Sequence, residues 1–189
     1  MLIDASPVGD PVISSSLTRR DVLVGERVTL AGLLAPELAG QTVTLEQRGR
    51  RRHWRVVAAR ASSIGLGAFR LVFREHRLGT DRLRLEVSEP DGIYYTPTTT
   101  LKVFHRVLVS WYGLTGRTAC GEELGAGTLG VANRTLPCGT MVTFRYRGRT
   151  IRVPVIDRGP YVWGRDYDLT YATKLALHAG DLTEVWANR

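Results

Sequence analysis

Apolar residues recur at every second position through most of the first hundred residues, and that period limits what the chain can fold into more than any other feature. Val28 and Leu30, Val43 and Leu45, Trp54 and Val56, Phe69, Leu71 and Phe73, Leu83, Leu85 and Val87, and Leu101 and Val103 all follow it. A period of two belongs to strands with one face in a core and the other in water. Gly40-Gln41, Gln47 through Arg52, Gly65-Leu66-Gly67, Gly79-Thr80 and Pro90-Asp91-Gly92 break the runs at short intervals, as turns do. Six or seven short strands in about 85 residues predict a β-sandwich over residues 18–105, preceded by a lead-in segment at 1–17. Arg50-Arg51-Arg52 is expected to decorate an exposed hairpin.

Near His105-Arg106 the pattern changes, and a second domain over 106–189 is expected after a linker of a few residues. Strands are predicted near 107–113, 129–133, 140–147, 150–157 and 182–187, with a short strand or turn near 166–169. One helix is predicted: Thr170 can cap it, Ala172, Leu175 and Ala176 form an apolar face, and Gly180 stands where helices commonly end. Gly148 is expected to turn the Arg145-to-Arg152 hairpin, whose arginines read as a solvated strand face. Trp111 reads as core.

Chemistry concentrates between Pro154 and Thr170. The β-branched run Ile151, Val153, Val155, Ile156 reads as a core strand, and Asp157 follows it where Gly159-Pro160 turns the chain outward. Tyr161, Trp163 and Asp168 come next. Two acids and two flat rings within twelve residues suit a sugar site, because aromatic faces cover the C–H faces of pyranoses while their edges stay wet.

Taken with Ser110-Trp111-Tyr112-Gly113, Thr118-Ala119-Cys120-Gly121-Glu122 and Thr135-Leu136-Pro137-Cys138-Gly139-Thr140, this stretch resembles the RlpA-like (rare lipoprotein A) family over roughly residues 107–187. The resemblance implies an all-β chain in which a six-stranded double-psi β-barrel with one short helix follows the sandwich. The sandwich in turn resembles bacterial immunoglobulin-like modules in pattern only. The implied partner is the glycan strand of peptidoglycan, with other cell-wall enzymes as further partners. The implied activity is lytic transglycosylation; the alternative is binding or loosening of polysaccharide without cleavage, as in the similar expansins.

By this resemblance Asp157 and Glu122 are the candidate catalytic acids. Tyr112, Thr118, Asn133, Arg158, Tyr161, Trp163 and Asp168 are the candidate substrate-binding residues. Cys120 and Cys138 each stand where the family more often has another residue, Ser and Phe respectively, so a disulfide between them is the economical explanation, and it implies an oxidising compartment. One departure bears on activity. Catalytic relatives carry a His in a segment that here reads Gly130-Val131-Ala132-Asn133, and an amide cannot titrate. Arg158, if turned toward Asp157, would favour its ionised form and oppose acid catalysis.

Composition closes off other classes. A net charge of +8 suits an anionic partner, but 16 basic against 11 acidic residues in 1–106 and 10 against 7 in 107–189 form no basic arm, and no nucleic-acid motif accompanies them, so none is expected to bind. His53, His76, His105 and His178 are scattered, so no metal is expected, and no nucleotide loop predicts a cofactor. No apolar run reaches the ~20 residues of a membrane span. Met1-Leu2-Ile3-Asp4 lacks the pattern of a signal peptide. An extracytoplasmic, secreted or wall-associated location is nonetheless expected from the cysteines.

Overall fold

The computed structural model describes residues 12–49, 53–89, 92–113 and 115–189. Arg50-Arg51-Arg52, Pro90-Asp91 and the first eleven residues of the expected lead-in lie outside them. The chain divides into two compact units, Met1–Val103 and Phe104–Arg189. No loop separates the two, because the division falls inside one strand, Thr99–Tyr112.

The first unit is built from β1 (Val12–Leu17), β2 (Asp21–Leu23), β3 (Arg27–Leu34), β4 (Thr42–Arg48), β5 (Trp54–Ala61), β6 (Ala68–Arg74), β7 (Gly79–Glu89), β8 (Gly92–Tyr95) and the start of β9 (Thr99–Tyr112). One sheet has the order β1-β3-β6; in the other β5, β4, β7 and β9 are neighbours in that order, with β8 on β7 and β2 on β9. The alternating residues of both sheets, among them Leu30, Leu71, Leu45, Leu85 and Leu101, meet in one core. The immunoglobulin-like likeness of this unit rests on strand pattern alone.

The second unit continues β9 and adds β10 (Gly116–Arg117), β11 (Glu123–Leu124), β12 (Val131–Ala132), β13 (Met141–Tyr146), β14 (Arg149–Asp157), β15 (Tyr167–Thr170), α1 (Tyr171–Leu177) and β16 (Thr183–Ala187). Six strands close into a ring: β9, β16, β13, β14, β12 and β15, with β15 returning to β9. The β9–β15 and β12–β14 pairs are parallel; the other four are antiparallel. Closure leaves no unpaired edge, and the inward residues fill the interior. Phe144, with no exposed surface, sits edge-on to Tyr167 with ring centroids 5.2 Å apart, among Val107, Val142, Val155 and Leu169.

Several local readings need correction. The strand expected at 129–133 spans only Val131–Ala132, because Gly130 instead docks on the helix: its N–H donates to Thr173 Oγ1 and its carbonyl accepts from Thr170 N. A Cβ at Gly130 would collide with Ile156. Thr170 caps α1 as expected, accepting from Thr173 N, but the helix ends at His178 in the left-handed conformation (φ 57°), two residues before Gly180. Trp111 is not core: its ring lies on Tyr171 at 5.3 Å, and its Nε1 donates to Asp181 at 2.8 Å. The β13–β14 hairpin turns through Arg147 and Gly148, both with positive φ, the geometry that a two-residue hairpin loop requires.

Phe144→Ala should destabilise the protein by about 3–5 kcal/mol, the cost of a large cavity in a closed core, measured as a shift of the urea unfolding transition. A loss below about 1 kcal/mol would show that the ring is not the barrel's central filler.

Candidate functional site

Asp157 is the last residue of β14, in parallel register with Ala132. Its Oδ1 accepts from Ala119 N at 2.9 Å and from its neighbour Arg158 N at 2.8 Å. Strand end and loop therefore hold one oxygen of a half-buried carboxylate in place.

Asp168 reaches the same region from β15. It sits opposite Ser110 in the parallel β9–β15 register and accepts from the Ser110 hydroxyl. It does not cap the helix; Thr170 does. Tyr112 lies two residues beyond Ser110 on β9 and so on the same side of the strand. Its phenolic oxygen is buried and makes no hydrogen bond of good geometry among the described residues. Burial first, then the negative charges of Asp157 and Asp168 and the approach of the phenol to the Asp157 carboxylate, push the Tyr112 phenol well above its ordinary value. Tyr112 is therefore a protonated phenol within electrostatic reach of both acids.

The loops around this group are braced. Arg158 turns its guanidinium away from Asp157: Nη1 donates to the carbonyls of Asn133 (3.1 Å) and Leu136 (2.9 Å), and Nη2 reaches Cys138 Sγ at 3.1 Å. The guanidinium thus organises the 133–138 loop. Asn133 is similarly occupied. Its Oδ1 accepts from Thr135 N and Leu136 N, and its Nδ2 donates to Asp166 O. Thr118 Oγ1 accepts from Glu122 N, closing the 118–122 turn, while the Glu122 carboxylate is exposed and has no partner among the described residues. The disulfide Cys120–Cys138, Cα atoms 5.7 Å apart, ties that turn to the 133–138 loop.

Tyr161 (82% exposed) and Trp163 (96% exposed) stand on the loop that follows Pro160, whose carbonyl accepts from Arg134. A cavity of about 420 Å³ shares Tyr112 with the acidic group and is otherwise lined by Trp111, Leu124, Ala126, Thr170 and Tyr171 among others. Neither acid lines it.

The structure therefore gathers Tyr112, Asp157 and Asp168, leaves Tyr161 and Trp163 exposed nearby in sequence, and assigns Asn133, Arg158 and Thr118 to bracing the loops. Ser110 was not among the candidates expected from sequence. Its role follows from the register with Asp168, 58 residues away, and the only sequence signal for it is its place two residues before Tyr112.

A closed six-stranded ring with two parallel pairs, ending β14 in an anchored aspartate, defines a double-psi β-barrel, and residues 105–182 match the double-psi β-barrel family model described as lytic transglycolase. The matches support an RlpA-like double-psi β-barrel for the C-terminal unit. It is 44% identical over 77 residues to a protein of Aquifex aeolicus named probable endolytic peptidoglycan transglycosylase RlpA, covering 38% of this chain and 34% of that protein. A Synechocystis protein of the same name is 36% identical over 98 residues, covering 48% and 30%. The chain thus spans about a third of the length of these relatives. Among solved structures, the Streptomyces papain inhibitor SPI matches at 26% identity with a TM-score of 0.39, over 45% of this chain and 92% of the inhibitor.

Two outcomes test this description. Thiol titration of the denatured, unreduced protein should find no reactive cysteine, and Cys120→Ser with Cys138→Ser should cost about 3 kcal/mol, the chain-entropy value for a loop of this length. Asp157→Asn removes a charge that raises the Tyr112 pKa, so the phenol should ionise at lower pH than in the parent; NMR of ¹³C-labelled tyrosine reads this. An unchanged titration would separate Tyr112 from Asp157.

Proposed function

We propose that the barrel binds peptidoglycan glycan strands across Tyr112, Asp157 and Asp168, with Asp157 as the acid/base group of a non-hydrolytic cleavage. The observation that carries this reading is the position of Asp157, fixed at the end of β14 by two backbone N–H groups on one carboxyl oxygen and close to Tyr112, in a chain whose relatives bear the name of endolytic peptidoglycan transglycosylases.

Lytic transglycosylation needs a single such group. The protonated acid gives its proton to the glycosidic oxygen as the bond to the anomeric carbon breaks. The sugar's own C6 hydroxyl then bonds to that carbon and returns its proton to the carboxylate, forming a 1,6-anhydro ring without water. No second, water-activating carboxylate is required, unlike in two-carboxylate glycosidases. Tyr112 stands beside the two acids, Asp168 is held by Ser110 as an acceptor, and Tyr161 and Trp163 offer exposed ring faces for pyranoses. A peptidoglycan substrate lies outside the cytoplasm, in a compartment where a disulfide such as Cys120–Cys138 persists.

The second reading, holding or loosening glycan without cutting, is favoured by Asn133. The residue in place of the family's His spends its carboxamide on three backbone bonds and moves no proton. Restoring His there would also remove the acceptor for Thr135 N and Leu136 N, so it is a poor test.

Asp157→Asn is a better one. Purified sacculi incubated with the parent protein should release 1,6-anhydro-muropeptides detectable by mass spectrometry, and the variant should release about 10²–10⁴-fold less while still sedimenting with sacculi. Sedimentation without any anhydro-product from the parent would establish the holding reading; neither sedimentation nor product would remove both.

A further inference from the structure

Between Met141 and Ile156 the chain carries four arginines and no acid, in the hairpin of β13 and β14. Register places them in relation to one another. Arg145 lies opposite Thr150 on β14 and Trp186 on β16, and Trp186 in turn lies opposite Arg106 on β9. Arg152 is two residues from Thr150, so Arg152, Arg145, Trp186 and Arg106 project from one face of the barrel wall. Arg147 stands at the turn over the Tyr146 ring at 5.2 Å.

A cleft of about 300 Å³ runs here, lined by Arg145, Tyr146, Arg147, Glu184 and Trp186 among others. Its one carboxylate, Glu184, is already bridged by Arg106 at 2.6 Å. Arg147, Arg149 and Arg152 are exposed and have no carboxylate partner among the described residues. None of this is used by the acidic site.

We propose that this hairpin and cleft are a binding surface for a polyanion of repeating phosphodiester groups, a role independent of the glycan reading. Guanidinium forks bind phosphate oxygens in bidentate fashion, and several such forks on one hairpin cooperate only with a ligand that presents several anions in series. Arginine on a folded strand also surrenders less conformational freedom per hydrogen bond than a flexible ammonium would. The half-buried Trp186 ring gives the cleft an apolar floor for the carbon backbone between phosphates.

The test uses the full chain and a synthetic poly(glycerol phosphate) oligomer, with affinity followed across a salt series. The parent should bind, with log K falling as log salt rises. Arg145→Gln/Arg147→Gln/Arg152→Gln should weaken binding at least tenfold and flatten the salt slope by about 2, the loss of three phosphate contacts. Arg60→Gln/Arg70→Gln/Arg82→Gln removes the same charge from exposed positions of the first unit and should bind like the parent. A triple Arg→Lys variant of the hairpin should recover part of the affinity, which excludes misfolding as the cause of the loss. Equal losses from both Gln triples would reduce the effect to net charge and overturn the site. Equal binding of poly-glutamate would overturn the phosphate assignment, and tighter binding of oligo(dT) would replace it with single-stranded nucleic acid.

Discussion

The parallel pairing of β9 with β15 is the interaction on which the second unit depends. Without it the six strands would be an open sheet with two edges; with it they form a ring that encloses Phe144 and Tyr167. The same register sets Asp168 opposite Ser110 and Thr170 opposite Tyr112. Closure and site assembly are therefore one event, because the strand that shuts the barrel also delivers one of its acids. β12 does the equivalent for the other acid: wedged between β15 and β14, it aligns Ala132 with both Asp168 and Asp157.

Around that ring the loops are fixed by polar groups more than by packing. Arg158 spans three acceptors of the 133–138 loop, Asn133 closes the turn from within, and Cys120–Cys138 joins the loop to the Thr118–Glu122 turn. Ala119 N, on that second turn, is one of the two donors to Asp157. The disulfide thus helps to position the acid that the proposed reaction uses, although neither sulfur touches it. The residue type that at first weighed against acid catalysis, an arginine beside the acid, is spent elsewhere.

Much of the architecture was legible in advance because strands with one wet face write their period into the sequence. β3, β4, β6, β7, β13, β14 and β16 lie where alternation and β-branched runs put them, and Thr170 announced the helix by its capping hydroxyl. The readings that failed were local and had a common cause. Trp111 looked like core by hydrophobicity, yet the strand ends there and its ring packs on Tyr171 and Asp181 at the surface. Gly180 looked like the helix terminator by residue type, yet His178 adopts the left-handed conformation, with Leu175 O and Lys174 O accepting at the helix end. Asn133, expected as a substrate ligand, spends its carboxamide on three backbone hydrogen bonds.

By itself the sequence determined the all-β character, the aromatic exposure at Trp163 and the acid at the end of an apolar strand, since each depends on neighbours within a few residues. Tertiary structure alone decided which acids share a site, that the buried Tyr112 phenol is within reach of both, and that Arg158 faces away. Those facts depend on register between strands far apart in the chain, such as Ser110 with Asp168 and Ala132 with Asp157. A one-residue slip in either pairing would turn the side chains to the opposite face, and no local pattern specifies that choice.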